Sequence, residues 1–181
     1  MGKYISILRG VNVGGRKVPM ANLKSLYEEL GFKEVITYIQ SGNVIFKTDK
    51  TSGQSLEKII ENKINKTFNM VVPVIIRHVY EMKNVVANNP FLKIKGIDNG
   101  KLHVTFLEKI PGQAELDNIK KFDYSPDRFI IIDKEVFLYC PGEYGKTQLS
   151  NNFFENKLKV QATTRNWKTV NKLVELSSEK Q

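Results

Sequence analysis

One order of elements occurs twice in this chain, and that repeat restricts the fold more than any other feature. Residues 3–9 alternate and are rich in β-formers, so they read as a strand. A glycine-bearing loop follows. Pro19 then opens a helical pattern with Leu23, Leu26, Tyr27 and Leu30 on one face, closed by Gly31. Residues 35–40 and 43–48 read as two strands joined by Ser41-Gly42, a tight hairpin signal. Residues 55–68 carry Leu56, Ile59, Ile60, Ile64 and Phe68 at helical spacing. Residues 71–76 read as a fourth strand, placed at a sheet edge by Pro73, which has no N–H to give a ladder. A short helix over 79–87 trails it.

The second half repeats this order: strand 101–107, helix 112–121, strands 128–132 and 135–140 around Asp133-Lys134, helix 147–157, strand 158–163 and a last helix 166–177. The ends of the halves can be laid over each other. Arg77 is followed by Met82, Val85 and Val86, and Arg165 by Val170, Leu173 and Val174, at the same offsets. Strand-helix-strand-strand-helix-strand is the split βαβ arrangement. The expected fold class is therefore α+β: two tandem ferredoxin-like halves (α/β plaits), pseudo-duplicated. Each half alone is small for a stable core, so packing as one compact body is expected. The expected organisation is a first plait with its trailing helix over 1–88, a turn-rich linker over 89–100, and a second plait with a C-terminal helix over 101–181.

Composition narrows the class of function. The 181 residues carry 28 Lys plus Arg against 19 Asp plus Glu, a formal net charge of +9. Such a balance points to nucleic acid, a phosphorylated ligand or an anionic surface. Only five of the basic residues are Arg (Arg9, Arg16, Arg77, Arg128 and Arg165), and dispersed Lys mainly solvates helix faces. The Arg residues sit at element boundaries and are the sharper signal. Cys140 is the only cysteine, which excludes an intrachain disulfide and a cysteine-based metal cluster. His78 and His103 have no third ligand at metal spacing, so neither metal nor cofactor is expected. No apolar run reaches membrane-span length, and no leader pattern opens the chain, so a cytoplasmic protein without membrane partners is expected. Gly2 stands in a short myristoylation pattern, but the alternation of residues 4–8 reads as strand instead.

Four loops are candidates for chemistry. In the first, Gly10, Gly14 and Gly15 let the backbone approach a ligand, with Arg9 and Arg16 at either end. Backbone N–H groups plus guanidinium suit a phosphate or carboxylate. The loop fits neither the P-loop nor the dinucleotide spacing, and the competing reading is a crossover loop that needs positive φ. Second, parallel first and second strands place Arg9 and Asn12 near Gln40, Ser41 and Asn43, unless Gln40 and Asn43 merely satisfy the hairpin's own backbone. The third loop, residues 139–146, ends in Lys146 at a predicted helix start. In the fourth, Thr163-Thr164-Arg165-Asn166-Trp167, Arg165 is the candidate binding residue; Thr164 or Asn166 can cap the last helix and Trp167 can anchor it. No catalytic constellation is visible: Ser41 lacks a nucleophile-elbow context and Cys140 lacks a motif.

Three segments occur in order: Leu8-Arg9-Gly10-Val11-Asn12-Val13-Gly14-Gly15, Tyr38-Ile39-Gln40-Ser41-Gly42-Asn43-Val44 and Thr163-Thr164-Arg165-Asn166-Trp167. Together with Asn89-Pro90-Phe91 they closely resemble a bacterial family classed as a domain of unknown function, with a pneumococcal structural-genomics representative. The resemblance spans about residues 3–177. It implies a duplicated α/β plait in a stand-alone bacterial cytoplasmic protein, and transfers no activity, cofactor or partner. The leading functional expectation is binding or turnover of a small phosphorylated or carboxylated ligand at the Arg/Gly-rich loops. The alternatives are a nucleic-acid or nucleotide-binding module and a non-catalytic scaffold or oligomerisation domain. Against the nucleic-acid reading, the first strand offers only Tyr4 as an aromatic and Asn43-Val44-Ile45-Phe46 lacks the aromatic core of RNA-recognition domains.

Overall fold

The computed structural model describes residues 1–15, 17–50 and 56–179. Arg16, and Ser55 at the predicted start of the second helix, lie outside the described residues. The chain divides into two units: Met1–Lys83 with the chain from Leu173 onward, and Asn84–Lys172. The stretch predicted as a linker carries two short 3-10 turns, Pro90–Lys93 and Asn99–Lys101.

The first unit contains β1 (Gly2–Leu8), α1 (Met20–Glu29), β2 (Lys33–Tyr38), β3 (Asn43–Thr48), α2 (Leu56–Phe68) and β4 (Val74–His78), with α3 (Val79–Ala87) following. Its sheet has the order β2-β3-β1-β4, and every neighbouring pair is antiparallel. Strand alternation sends Leu8, Val44, Phe46, Val74 and Ile76 to one face, where they meet Leu23, Leu26 and Tyr27 of α1 and Ile60 and Ile64 of α2. The opposite face, with Ile5, Ile7, Ile45, Ile75 and Arg77, is buried as well. Burial on both faces explains why Val-Ile-Ile and Ile-Ser-Ile-Leu runs replace the apolar-in, polar-out alternation of a half-solvated antiparallel sheet.

The second unit contains β5 (Leu102–Leu107), α4 (Gln113–Ile119), β6 (Arg128–Ile132), β7 (Glu135–Tyr139), α5 (Asn151–Leu158) and β8 (Ala162–Asn166), followed by α6 (Trp167–Ser178). Its sheet has the order β6-β7-β5-β8, the same connectivity again. The duplication extends to single residues. Arg77 is the fourth residue of β4 and lies opposite Ile5; Arg165 is the fourth residue of β8 and lies opposite Val104. The fold is thus two tandem ferredoxin-like halves, as the element order predicts.

Several predicted boundaries shift, each for a local reason. β2 ends at Tyr38 rather than residue 40, because Ile39 takes φ 50° and turns the chain out of the sheet. β4 starts at Val74, and Pro73 just before it contributes its carbonyl to Arg9 N (2.9 Å). α5 starts at Asn151, where the Ser150 hydroxyl accepts from Phe153 N (3.3 Å), and closes at Lys159 in a left-handed conformation (φ 57°). That closure delays β8 to Ala162. Asn166, one of the two predicted caps, accepts from Thr169 N at 2.8 Å as α6 begins.

Tyr27 is fully buried and shares a 2.7 Å hydrogen bond with the Ser6 hydroxyl. Burial pushes its phenol well above its ordinary value, the Ser6 bond offsetting only part of this. A raised folded value means this group's stabilising contribution is complete below the ordinary tyrosine range and is lost as pH rises above it. Between about pH 9 and pH 11 the parent protein is therefore expected to lose stability more steeply than Tyr27→Phe. Urea midpoints measured across that range check this; parallel slopes would overturn it.

Candidate anion-binding loop

The loop after β1 is anchored at its start by main-chain bonds. Leu8 N donates to Gly42 O and Arg9 N to Pro73 O, both at 2.9 Å, tying the exit of β1 to the β2–β3 turn and to the segment entering β4. Gly42 permits this approach: a Cβ there would lie 3.0 Å from Leu8 Cβ and 3.3 Å from Val11 Cβ, at a residue with φ 76°. Val11 and Val18 are buried and pin the loop's two ends, while Val13 between them is exposed.

Asn12 shapes the loop. Its Oδ1 accepts from Val18 N (2.7 Å), and its Nδ2 donates to Val18 O (3.0 Å) and to Gln40 O (2.7 Å). Asn12 itself has φ 57°, a conformation Asn tolerates better than most residues. Along residues 10–14 the sign of φ alternates: Gly10 is positive (72°), Asn12 positive, Gly14 positive (58°), and Val11 and Val13 between them are not. Gly15 continues with φ 86°. Alternating handedness turns successive N–H groups toward one side, the geometry of an anion-binding nest. No described residue lies within 4 Å of a Cβ placed on Gly14 or Gly15, so among the described residues these two serve backbone conformation.

The predicted meeting of the two loops at the shared sheet edge is present. Asn12 reaches Gln40, whose side chain is exposed with Oε1 at 3.4 Å from Asn12 Nδ2. Asn43 is buried and spends its amide on Tyr38 O (3.1 Å) and Ser41 Oγ (3.0 Å), holding the hairpin turn. Ile39, a β-branched residue at positive φ, is exposed beside Gln40, a strained position of the kind found at binding loops. Arg9 is half-buried where the loop begins.

Two predicted site residues belong to the second unit. Lys146 does not open a helix. It ends a 3-10 turn (Tyr144–Lys146) and pairs with Glu143 at 2.9 Å, because Ser150 caps α5 further along. Arg165 lies within β8, buried, with Nη1 donating to Thr163 Oγ1 (3.1 Å) and Thr164 O (2.9 Å). Burial lowers its guanidinium to about 10. A network that sequence spacing does not reveal surrounds it: Tyr144 stacks on His103 (4.2 Å between centroids), and Thr164 joins Thr105 (2.6 Å) and Asn151 (2.7 Å). Burial also holds His103 below its ordinary value. Among the described residues, no group of three or more His, Cys, Asp or Glu is placed to hold a metal ion, and no helix is long and apolar enough to cross a membrane.

The protein is a tandem duplication of the ferredoxin-like unit, with a glycine-rich crossover loop after β1. The chain belongs to the family described as protein of unknown function (DUF1697), whose profile matches residues 1–137. In fold it is similar to the conserved bacterial protein SP0830 from Streptococcus pneumoniae, with a TM-score of 0.79 and 21% identity over 99% of each chain. No curated protein matches it.

Proposed function

We propose that residues 9–15 bind the phosphate or carboxylate group of a small ligand. The observation that carries this is the alternating φ of Gly10 to Gly14 combined with unused donors: the N–H groups of Gly10, Gly14 and Gly15 make no hydrogen bond to any described residue. Arg9 brings a guanidinium to the start of the same loop, and the exposed Gln40 amide stands beside it through the Asn12 bond. N–H donors left unused along a loop of alternating φ, with an arginine at its start, match the needs of an anionic group. The loop's closure is independent of any ligand, since Asn12 already satisfies it from within.

The test is an amide NMR titration with inorganic phosphate and pyrophosphate. Saturable shifts at Gly10, Gly14 and Gly15 are expected. Gly14→Ala, whose methyl meets no described neighbour but is strained at φ 58°, is expected to weaken them about tenfold while lowering the melting temperature only by about 2–4 °C. Absent shifts, or shifts equal in the variant, would assign these residues to a purely conformational role, as in a scaffold.

A further inference from the structure

The second unit has a pocket of about 420 Å³ at its edge strand β6, formed by residues of β6, the end of α4 with the segment after it, and the 3-10 turn at Pro90–Lys93. β6 alternates cleanly. Phe129 and Ile131 pack into the helix-side core, while Arg128, Ile130 and Ile132 are exposed on the other face. Phe122 is 51% exposed at the pocket, Ile130 38% and Ile94 40%, an apolar part of the lining open to solvent.

Arg128 is the distinctive group. Its guanidinium lies over the ring of Tyr139 (4.9 Å to the centroid) and over that of Phe91 (5.7 Å). Phe91 is buried and held by Asn89 Oδ1, which accepts its N–H at 3.1 Å. Stacking on two rings positions the guanidinium and leaves its N–H edge available. The Arg128 guanidinium makes no hydrogen bond or ion pair with any described residue, while its main chain pairs with Tyr139 in the β6–β7 ladder. The two acids of the lining remain charged and are each held through one oxygen by a neutral donor rather than by Arg128. Asp127 accepts from the Thr147 hydroxyl, and Asp123 accepts from Ser125 N (2.9 Å) and Ser125 Oγ (2.7 Å).

We infer that this pocket binds an aromatic carboxylate, with the carboxylate on the Arg128 fork and the apolar body against Phe122 and Ile130. A planar, positioned guanidinium recognises a carboxylate through two parallel N–H bonds. The pocket volume suits a small molecule or one terminal side chain, and its lining mixes apolar groups with the charged Lys120, Asp123, Asp127 and Arg128. The same chemistry has two sources: a free aromatic acid, or the C-terminal carboxylate of a peptide ending in an aromatic residue.

The experiment is calorimetric titration of the full chain with 3-phenylpropionate, 3-phenylpropanamide, a short peptide ending in phenylalanine, and its C-terminal amide. One or both acids are expected to bind saturably, with their amides at least about tenfold weaker. Arg128→Gln should remove that preference, Arg128→Lys should retain part of it through charge alone, and Phe122→Ala should weaken every binding partner. Arg128 and Phe122 are exposed, so these variants are expected to keep the parent circular dichroism spectrum. Which acid binds more tightly assigns the source. Binding by neither acid, equal binding of acid and amide, or acid binding unchanged in Arg128→Gln would overturn the inference. The phosphate titration of the β1 loop reports a separate site and is unaffected by these outcomes.

Discussion

Asn12→Ala is expected to destabilise the protein by about 3 kcal/mol, since it removes three hydrogen bonds worth about 1 kcal/mol each, and strains the backbone by about 1 kcal/mol more. The bonds are those to Val18 N, Val18 O and Gln40 O, at 2.7, 3.0 and 2.7 Å. Part of the loss is recovered because the more exposed groups find water. The strain arises because alanine does not favour the φ of 57° that residue 12 adopts. Asn12→Gly separates the contributions: it loses the same bonds but relaxes the backbone, so it should be more stable than Asn12→Ala by about 1 kcal/mol. Urea denaturation followed by far-UV circular dichroism measures both. A loss under about 1 kcal/mol for Asn12→Ala would mean that the loop does not depend on this side chain. Loss of anion binding in either variant would then be positional, since Asn12 turns its own amide inward.

Phe46→Ala is the larger change, with an expected loss of about 3–5 kcal/mol. Phe46 is fully buried on β3 at the centre of an aromatic group. Its ring lies 4.6 Å from that of Phe32, 5.4 Å from Tyr27 and 5.8 Å from Tyr4. Removing it leaves a cavity between α1 and the sheet that three rings cannot fill without leaving their own packing. Phe46→Leu preserves much of the volume and should cost less than about 1.5 kcal/mol beyond any aromatic term. The same denaturation measurement decides it: equal losses for Ala and Leu would show that the aromatic group, not the filled volume, sets the energy.

The plait and its duplication were legible because they depend on short-range signals. Runs of β-formers, apolar residues at helical spacing, Gly31 and the Ser41-Gly42 turn mark elements without reference to distant contacts. The Arg77 and Arg165 overlay was visible as a spacing, and the ladders place both residues at the same position. Boundaries were less legible where one residue's φ decides them. Ile39 and Lys159 adopt left-handed conformations that propensity does not anticipate for those residue types.

The candidate sites divide in the same way. Glycines, flanking arginines and the closeness of Asn12 to Gln40 follow from composition and from the parallel run of β1 and β2. The Asn12 clamp on Val18 was not visible, because polar pairing across an irregular loop has no period. Arg165 looked like a binding residue for its type and place at a strand end, yet it is buried with its Nη1 on Thr163 and Thr164. The pocket at Arg128 draws Phe91 and Phe122 from separated segments, and Tyr139 under the guanidinium comes from another strand, which no local pattern brings together.

By itself the sequence determined the class of elements, their order, their repetition and the presence of a glycine loop with positive-φ demands, since these are properties of neighbouring residues. Only the tertiary structure decided which polar groups are spent and which remain available. Asn43 and Arg165 make internal bonds, whereas among the described residues the N–H groups of Gly10, Gly14 and Gly15 have no partner and the Arg128 guanidinium rests on two rings without a carboxylate. The reason is that a hydrogen-bond donor is satisfied by whatever the fold brings within about 3 Å, and that neighbour is set by long-range packing rather than by the residue's own identity.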